Sequence, residues 1–222
     1  LFNLNITLMT MTKPIKERSF KGLSPSERKT IRYEKLIQAG IKIYGTRGFF
    51  FFFLKDICLE AQLTERYFYE SFKKSEQLFQ TVFLQLIDEL QNNIKNASIP
   101  YTHQPQKMIE ASLDALLTTL YNNPNMARII YIDAILVQEL HKQSTIQETM
   151  ARFDRMLHPL LITTNLNNER NKHEVSLITS GLNGYVTQIA ILWVMNNFQQ
   201  PKATVLSACL CPFLPLFNEN SN

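Results

Sequence analysis

Four consecutive side chains, Thr64, Glu65, Arg66 and Tyr67, offer a hydroxyl, a carboxylate, a guanidinium and a phenol just ahead of the apolar Phe68. An arginine fork matches the edge of guanine, and a carboxylate accepts from the amino group of cytosine. Lys73 and Lys74 follow, with Tyr69 and Ser71 between and Lys55 and Arg28 upstream. Cations, hydroxyls and phenols of this kind suit phosphate oxygens, which position a duplex without reading it.

The spacing around these groups predicts how they are held. Ile57 and Ala61 stand four apart, as do Phe68 and Phe72, so each pair can share one buried helix face. The stretch reads as a short helix, a turn at Ala61-Gln62-Leu63, and a second short helix capped by Thr64. Burying Phe68 and Phe72 turns Glu65, Arg66, Tyr67, Tyr69, Glu70 and Ser71 outward, as a helix entering the DNA major groove requires.

A longer helix must support this pair. Ser24-Pro25-Ser26-Glu27 is a strong start, with a capping serine, a proline at the first position and a glutamate that closes a capping box. Tyr33, Leu36, Ile37, Gly40 and Tyr44 then share one face, and Arg28, Arg32, Lys35 and Lys42 share another. That basic face would lie along phosphate or simply be solvated. Gly48 ends the helix as a left-handed cap.

Leu36, Ile37, Ala39, Tyr44, Gly48-Phe49, Ile57, Ala61, Leu63-Thr64, Phe68-Tyr69, Phe72, Glu76 and Leu78 together resemble the DNA-binding domain of TetR-type (tetracycline-repressor-like) transcriptional regulators. The resemblance covers about the first third of the chain; beyond Leu78 it extends only to length and helical character. It implies an all-α fold, with a three-helix helix-turn-helix domain at 24–74 and a helical ligand-binding and dimerisation domain at 75–222. It also implies a homodimer on a double-stranded DNA operator, a small-molecule effector, and most often repression. Phe49 matches an aromatic that packs under the helices. The chain departs from the pattern at Phe53, where a capping Ser or Thr is usual, and at Gln62, where Gly is common. It departs again at Ser71 and at Lys74-Ser75. The lost cap at Phe53 should cost about 1 kcal/mol, partly offset by Asp56 in the first turn.

The charge distribution fits this division. Residues 1–74 hold 14 Lys/Arg against 7 Asp/Glu, whereas residues 75–222 hold 9 against 12. A basic third beside a mildly acidic remainder is the footprint of a nucleic-acid reader joined to a different body. Residues 1–23, with Lys13, Lys16, Arg18 and Lys21, read as a flexible basic arm, either on DNA or solvated. Residues 1–11 make a poor signal peptide, and Met9 and Met11 offer later translation starts. No unbroken apolar run approaches the about 20 residues that span a bilayer, so no membrane partner is expected. Three unevenly placed cysteines, Cys58, Cys209 and Cys211, point to reduced thiols and a cytoplasmic protein, which the resemblance to DNA-binding regulators would make nucleoid-associated.

Beyond Ser75 the periodicity predicts helices throughout. Leu78, Phe79, Val82, Phe83, Leu86, Ile87, Leu90 and Ile94 form a double stripe on a long helix that breaks between 96 and 105. In the family this helix links head to body, and its pivoting changes the distance between the dimer's two recognition helices. Met108–Tyr121 is a further helix, and Met126–Leu140 is apolar almost all round and hence central. A helix from about 144 to 161, a polar loop at 165–172 and a long helix at 175–197 follow, and Pro212 and Pro215 bend or end the last segment. On the long helix, Leu182, Tyr185, Ile189 and Trp193 form the stripe expected at a dimer interface, with Leu206 and Leu210 from the next helix. Polar groups on otherwise apolar helices, namely Tyr131, Asp133, His158, Tyr185 and Gln188, together with Leu117, are candidates for the effector pocket. Asp133 would meet a cationic ligand or, more simply, pair with Arg128 or Arg155 or face solvent.

Five consecutive phenylalanines, Phe49 to Phe53, are read first as packing and otherwise as an exposed partner-binding patch. The latter would make the chain a helical interaction factor with a vestigial DNA-binding head. No Gly-rich phosphate loop, Gly-x-Ser-x-Gly or metal-ligand spacing is present, and the four histidines are scattered. Neither an enzyme nor a cofactor or metal is expected.

Overall fold

The computed structural model describes residues 24–162 and 172–218. The basic arm at 1–23 and most of the polar loop at 165–172 lie outside them. Among the described residues every regular element is helical.

Helix α1 (Pro25–Arg47) begins as its sequence dictates: Ser24 Oγ accepts from the Glu27 N–H, and the Glu27 carboxylate accepts from the Ser24 N–H at 2.7 Å. It ends at Gly48, whose φ of +86° and ψ of 157° lie outside the left-handed helical well but still in territory that suits glycine. Helix α2 (Leu54–Glu60) and helix α3 (Glu65–Tyr69) follow. Phe53 supplies no side-chain cap to α2, as expected; instead its N–H donates to Asp56 Oδ2 at 2.8 Å. That bond, with Arg47 3.1 Å away, holds the Asp56 carboxyl below its usual range.

Helix α4 (Ser75–Ser98) carries the predicted double stripe, all of it buried. A 3₁₀ turn (Ile99–Tyr101) then leads to α5 (Pro105–Asn122), which packs along α4. The run from Met126 to Leu140 is not one helix. It is α6 (Pro124–Arg128), a π-helical turn (Ile129–Asp133), α7 (Ala134–Leu136) and α8 (Gln138–Lys142), broken by an extended Val137 with ψ of 101°. Apolarity all round marked this run as central, but it does not report the helical pitch. Helices α9 (Thr145–Ile162), α10 (Lys172–Met195), α11 (Lys202–Leu210) and α12 (Pro215–Asn218) complete the described fold.

One apolar core runs from α1 through to α11. At its near end lies Tyr44, fully buried, with Phe49, Phe52 and Phe79 around it at ring separations of 5.0 to 5.8 Å. Its hydroxyl donates to Ser75 O at 3.3 Å, and burial raises its pKa. The phenylalanine run is therefore split: Phe49 and Phe52 pack inward, while Phe50, Phe51 and Phe53 are 58 %, 78 % and 70 % exposed.

The end of α1 meets α6 with almost no space between them. A Cβ on Gly45 would lie 2.8 Å from Asn125 Cα, and one on Gly48 would collide with the Arg128 guanidinium. Arg128 in turn faces the buried Asp133 at 3.5 Å, an ion pair too long for a good hydrogen bond. Burial raises the Asp133 pKa, opposed by Arg128 and the Phe49 backbone N–H.

Two consequences can be measured. Gly45→Ala should gain up to about 1 kcal/mol of helix propensity, but overpacking costs about 1–3 kcal/mol. Urea unfolding should therefore show net destabilisation, and a gain would mean that α1 and α6 are not so close. Asp133 has a raised folded pKa, so its contribution is fully present below the ordinary aspartate value of 3.8 and is lost as pH rises through the folded value. The stability of Asp133→Asn relative to the natural chain should rise with pH across that window, and a flat difference would contradict the assignment.

Candidate nucleic-acid interface and interior cavity

The turn between α2 and α3 is held by backbone bonds, Ala61 N–H to Ile57 O at 2.9 Å and Leu63 N–H to Cys58 O at 2.9 Å. Gln62 sits at φ +56°, the left-handed conformation that glycine adopts without strain. Phe68 and Phe72 are buried as their spacing predicted, and Phe72 stacks on Tyr33 at 5.1 Å. Thr64 occupies the N-cap of α3 but makes no side-chain cap bond, so its hydroxyl stays available.

Thr64, Glu65 and Arg66 are exposed, and Tyr69 is 58 % exposed. Tyr67 departs from the expectation. It is half-buried, with the Arg32 guanidinium 4.4 Å above its ring. Arg32 and Arg66 both pair with Glu70, at 3.6 and 3.3 Å. Lys42, expected on the basic face, pairs with Glu60 at 2.7 Å. Exposed pairs of this kind are worth at most about 1 kcal/mol, so phosphate or a base edge can displace them.

The phosphate candidates divide. Lys73 is exposed, and its own N–H is capped by Gln77 Oε1 at 2.8 Å. Arg28 and Ser71 are half-buried, and Lys55 Nζ lies 5.3 Å over the Phe53 ring. Lys74 is not free: its Nζ meets Glu139 of α8 at 2.8 Å, which raises the lysine pKa and lowers the glutamate's. Lys74 thus ties the start of α4 to the body, a partner that sequence separation concealed.

Inside the body, α4, α5, the π turn, α7, α9 and α10 surround a cavity of about 240 Å³. Its wall is largely apolar, including Phe83, Ile87, Leu116, Met150, Phe153 and Ile191. Of the predicted pocket residues only Tyr131 lines it. Leu117 is buried elsewhere in the core, and Gln188 is exposed. Asp133 pairs with Arg128, His158 Nδ1 lies 3.4 Å from Thr179 Oγ1, and the Tyr185 hydroxyl donates to Ala208 O at 3.2 Å. Sequence reading missed Ser112, Thr149, Asn183 and Thr187 in the wall. Asn183 and Thr187 were findable as two polar residues one turn apart on an apolar helix.

The outer face of α10 is also displaced from its expected register. Trp193 is buried in the chain's own core, stacked on Tyr121 at 5.9 Å, with its Nε1–H donating to Gln200 O at 2.9 Å. Leu182, Ile189, Leu206 and Leu210 are half-buried against that core. The uncovered stripe is instead Leu177, Gly181, Gly184, Gln188, Leu192 and Met195, and neither glycine has another atom near the place of a Cβ. By length and composition α10 could cross a membrane, because mean hydropathy tolerates its scattered Ser, Thr and Gly; only 28 % of its apolar stretch is buried within the chain.

No family model and no curated protein matches the sequence. Solved structures do. A TetR-like transcriptional regulator from Rhodococcus sp. RHA1 superposes with a TM-score of 0.61 at 15 % identity, covering 82 % of this chain and 96 % of that one. The fatty acid degradation regulator FadR from Bacillus halodurans gives 0.68 at 15 %, covering 86 % and 97 %. FadR from Bacillus subtilis, solved with stearoyl-CoA, gives 0.65 at 17 %, covering 80 % and 95 %. Over most of its length, then, the chain has the fold of the TetR-type transcriptional regulators.

Proposed function

We propose that the chain is a homodimeric, sequence-specific DNA-binding regulator that acts in the cytoplasm on the nucleoid. Residues 24–74 would read DNA and residues 75–222 would sense and dimerise. The observation that carries this reading is α3: Phe68 is buried beneath it while Thr64, Glu65 and Arg66 are exposed at its start, Arg66 held only by an exposed pair with Glu70, and Lys73 stands just beyond its end. Arg66 and Glu65 address base edges, with Thr64 beside them. Tyr67, under Arg32, acts more as a prop than as a reader. Tyr69, Ser71, Lys73, Lys55 and Arg28 address phosphate.

The uncovered stripe on α10 supports dimerisation. A run of Leu177, Gly181, Gly184, Gln188, Leu192 and Met195 gives a second copy an apolar seam, with two glycines for close approach. The cavity takes a small apolar effector, and the action is repression relieved when the effector changes the spacing of the two α3 helices. Successive major grooves are about 34 Å apart, so a modest change in spacing removes the match.

A second reading rests on the exposed Phe50, Phe51 and Phe53, which would dock a protein partner beside a vestigial DNA head. It predicts absent or salt-insensitive retention on DNA.

Selection of bound sequences from a random duplex pool separates the two. Enrichment of a palindrome supports the regulator, and absence of binding favours the interaction factor. Arg66→Ala should change the enriched sequence, whereas Lys73→Ala should weaken all sequences and lower the salt slope by about one. Equal loss on every sequence would remove Arg66 from the reading face. Leu192→Glu should convert a dimer to a folded monomer in sedimentation, with loss of palindrome binding; an unchanged dimer would place the seam elsewhere.

A further inference from the structure

The cavity wall limits what can enter it. No described residue lining it carries a formal charge. An ion moved there would lose its hydration without a counter-ion, a cost that apolar contact does not repay. Behind the wall, Asp154 accepts from Asn183 Nδ2 at 2.9 Å, and its charge would further repel a carboxylate at that side.

Several of the wall's hydroxyl protons are already committed. Ser98, Ser112 and Thr149 spend their hydroxyl protons on backbone carbonyls of their own helices, at 2.7 to 2.8 Å. Each therefore presents only lone pairs. Tyr131 differs: it is 8 % exposed and its ring lines the cavity. Its hydroxyl makes no hydrogen bond with a described residue, and burial raises its pKa, so it remains a protonated donor. The hydroxyl is not among the fully buried unpaired polar atoms, so a ligand oxygen can reach it, and a bond formed in apolar surroundings is worth more than one in water. The volume of about 240 Å³ exceeds the about 150 Å³ apolar cavity that takes up benzene. Met108, Met150 and Met156 add side chains that adapt to an irregular guest.

We propose that the effector is an uncharged, largely apolar molecule with a hydrogen-bond acceptor such as an ester or ketone oxygen, recognised by the Tyr131 phenol. This rests on the reading of the cavity as an effector site. It sets the chain apart from a sensor of free fatty acids or of acyl-coenzyme A, whose charges have no counterpart in the wall.

The test is calorimetric titration of the full chain at neutral pH with methyl decanoate, decanoate and decanoyl coenzyme A. Methyl decanoate should bind more tightly than either anion by at least about tenfold. Tyr131→Phe should weaken methyl decanoate by about tenfold while leaving the thermal stability of the ligand-free protein unchanged or higher, because the lost hydroxyl had no partner. Equal or tighter binding of an anion overturns the ligand class, as does failure of all three to bind. An unchanged affinity in Tyr131→Phe overturns the role of the phenol. Palindrome selection on the same protein, without ligand, keeps this outcome separate from that of the regulator reading: palindrome binding without ester binding sinks only the ligand class, and the converse sinks only the DNA reader.

Discussion

The buried carboxylate of Asp133 is the constraint on which the rest of the arrangement turns. A charge in a nearly sealed site must be compensated locally. The compensation comes from two directions, the Arg128 guanidinium on the preceding helix and the backbone N–H of Phe49 at the end of α1. Arg128 reaches that position only because Gly48 has no side chain to obstruct it, and α6 approaches α1 only because Gly45 has none. The same five-residue π turn presents Ile130 and Tyr131 to the cavity. A π turn departs from the regular helical ladder, and such turns concentrate at functional sites. Here one short element touches both the chamber and the end of the helix that supports α3. A ligand that shifts Tyr131 cannot leave the Asp133 contact unaffected without straining the turn between them.

A second tie runs from Lys74 to Glu139, and a third from Gln80 Nε2 to Thr145 Oγ1 at 2.9 Å. The former joins the N-cap of α4 to α8, and the latter joins the α4 helix to α9, which borders the cavity. On the proposed reading, coupling is shared between a buried contact at α1 and polar contacts at α4. The two differ in kind. The exposed lysine pair is weakened by salt, whereas the buried pair is screened much less. The exposed face of α3 proposed to read bases carries only weak ion pairs. Arg66 and Arg32 share Glu70, an arrangement that on the proposed reading would give up little if phosphate or a base edge replaced the carboxylate.

Much of this was legible in the sequence where the cause is local. The Ser24 capping box, the buried pairs Ile57/Ala61 and Phe68/Phe72, and the double stripe of α4 depend on spacing within a few residues, and all appear as expected. The strained Gln62 was legible as a departure from a glycine-favouring position, and its φ of +56° gives the reason. What escaped depends on elements distant in sequence. Periodicity cannot tell a π turn from an α turn when every face is apolar, so Met126–Leu140 read as one helix. It cannot say which of two apolar stripes on α10 faces inward, and the choice fell on the one holding Trp193, which packs against Tyr121 and Phe198. The cavity was invisible because it is the space left between helices rather than a property of any one.

A ligand shifts an equilibrium only through differential affinity for two arrangements. On the proposed reading the cavity would meet this condition at a particular atom. Apolar walls bind any apolar guest of suitable size, and a guest that fits both arrangements equally moves nothing. On the proposed reading the Tyr131 hydroxyl is different, because it sits on the π turn and a hydrogen bond to a guest would depend on where that turn lies. Apolar contact would then supply most of the affinity, and a single directional bond would supply the bias. Raising total affinity would therefore not by itself raise response. A hydrocarbon of the right shape would occupy the chamber and leave the spacing of the α3 helices nearly unchanged, whereas a guest of equal size bearing one well-placed oxygen would move it.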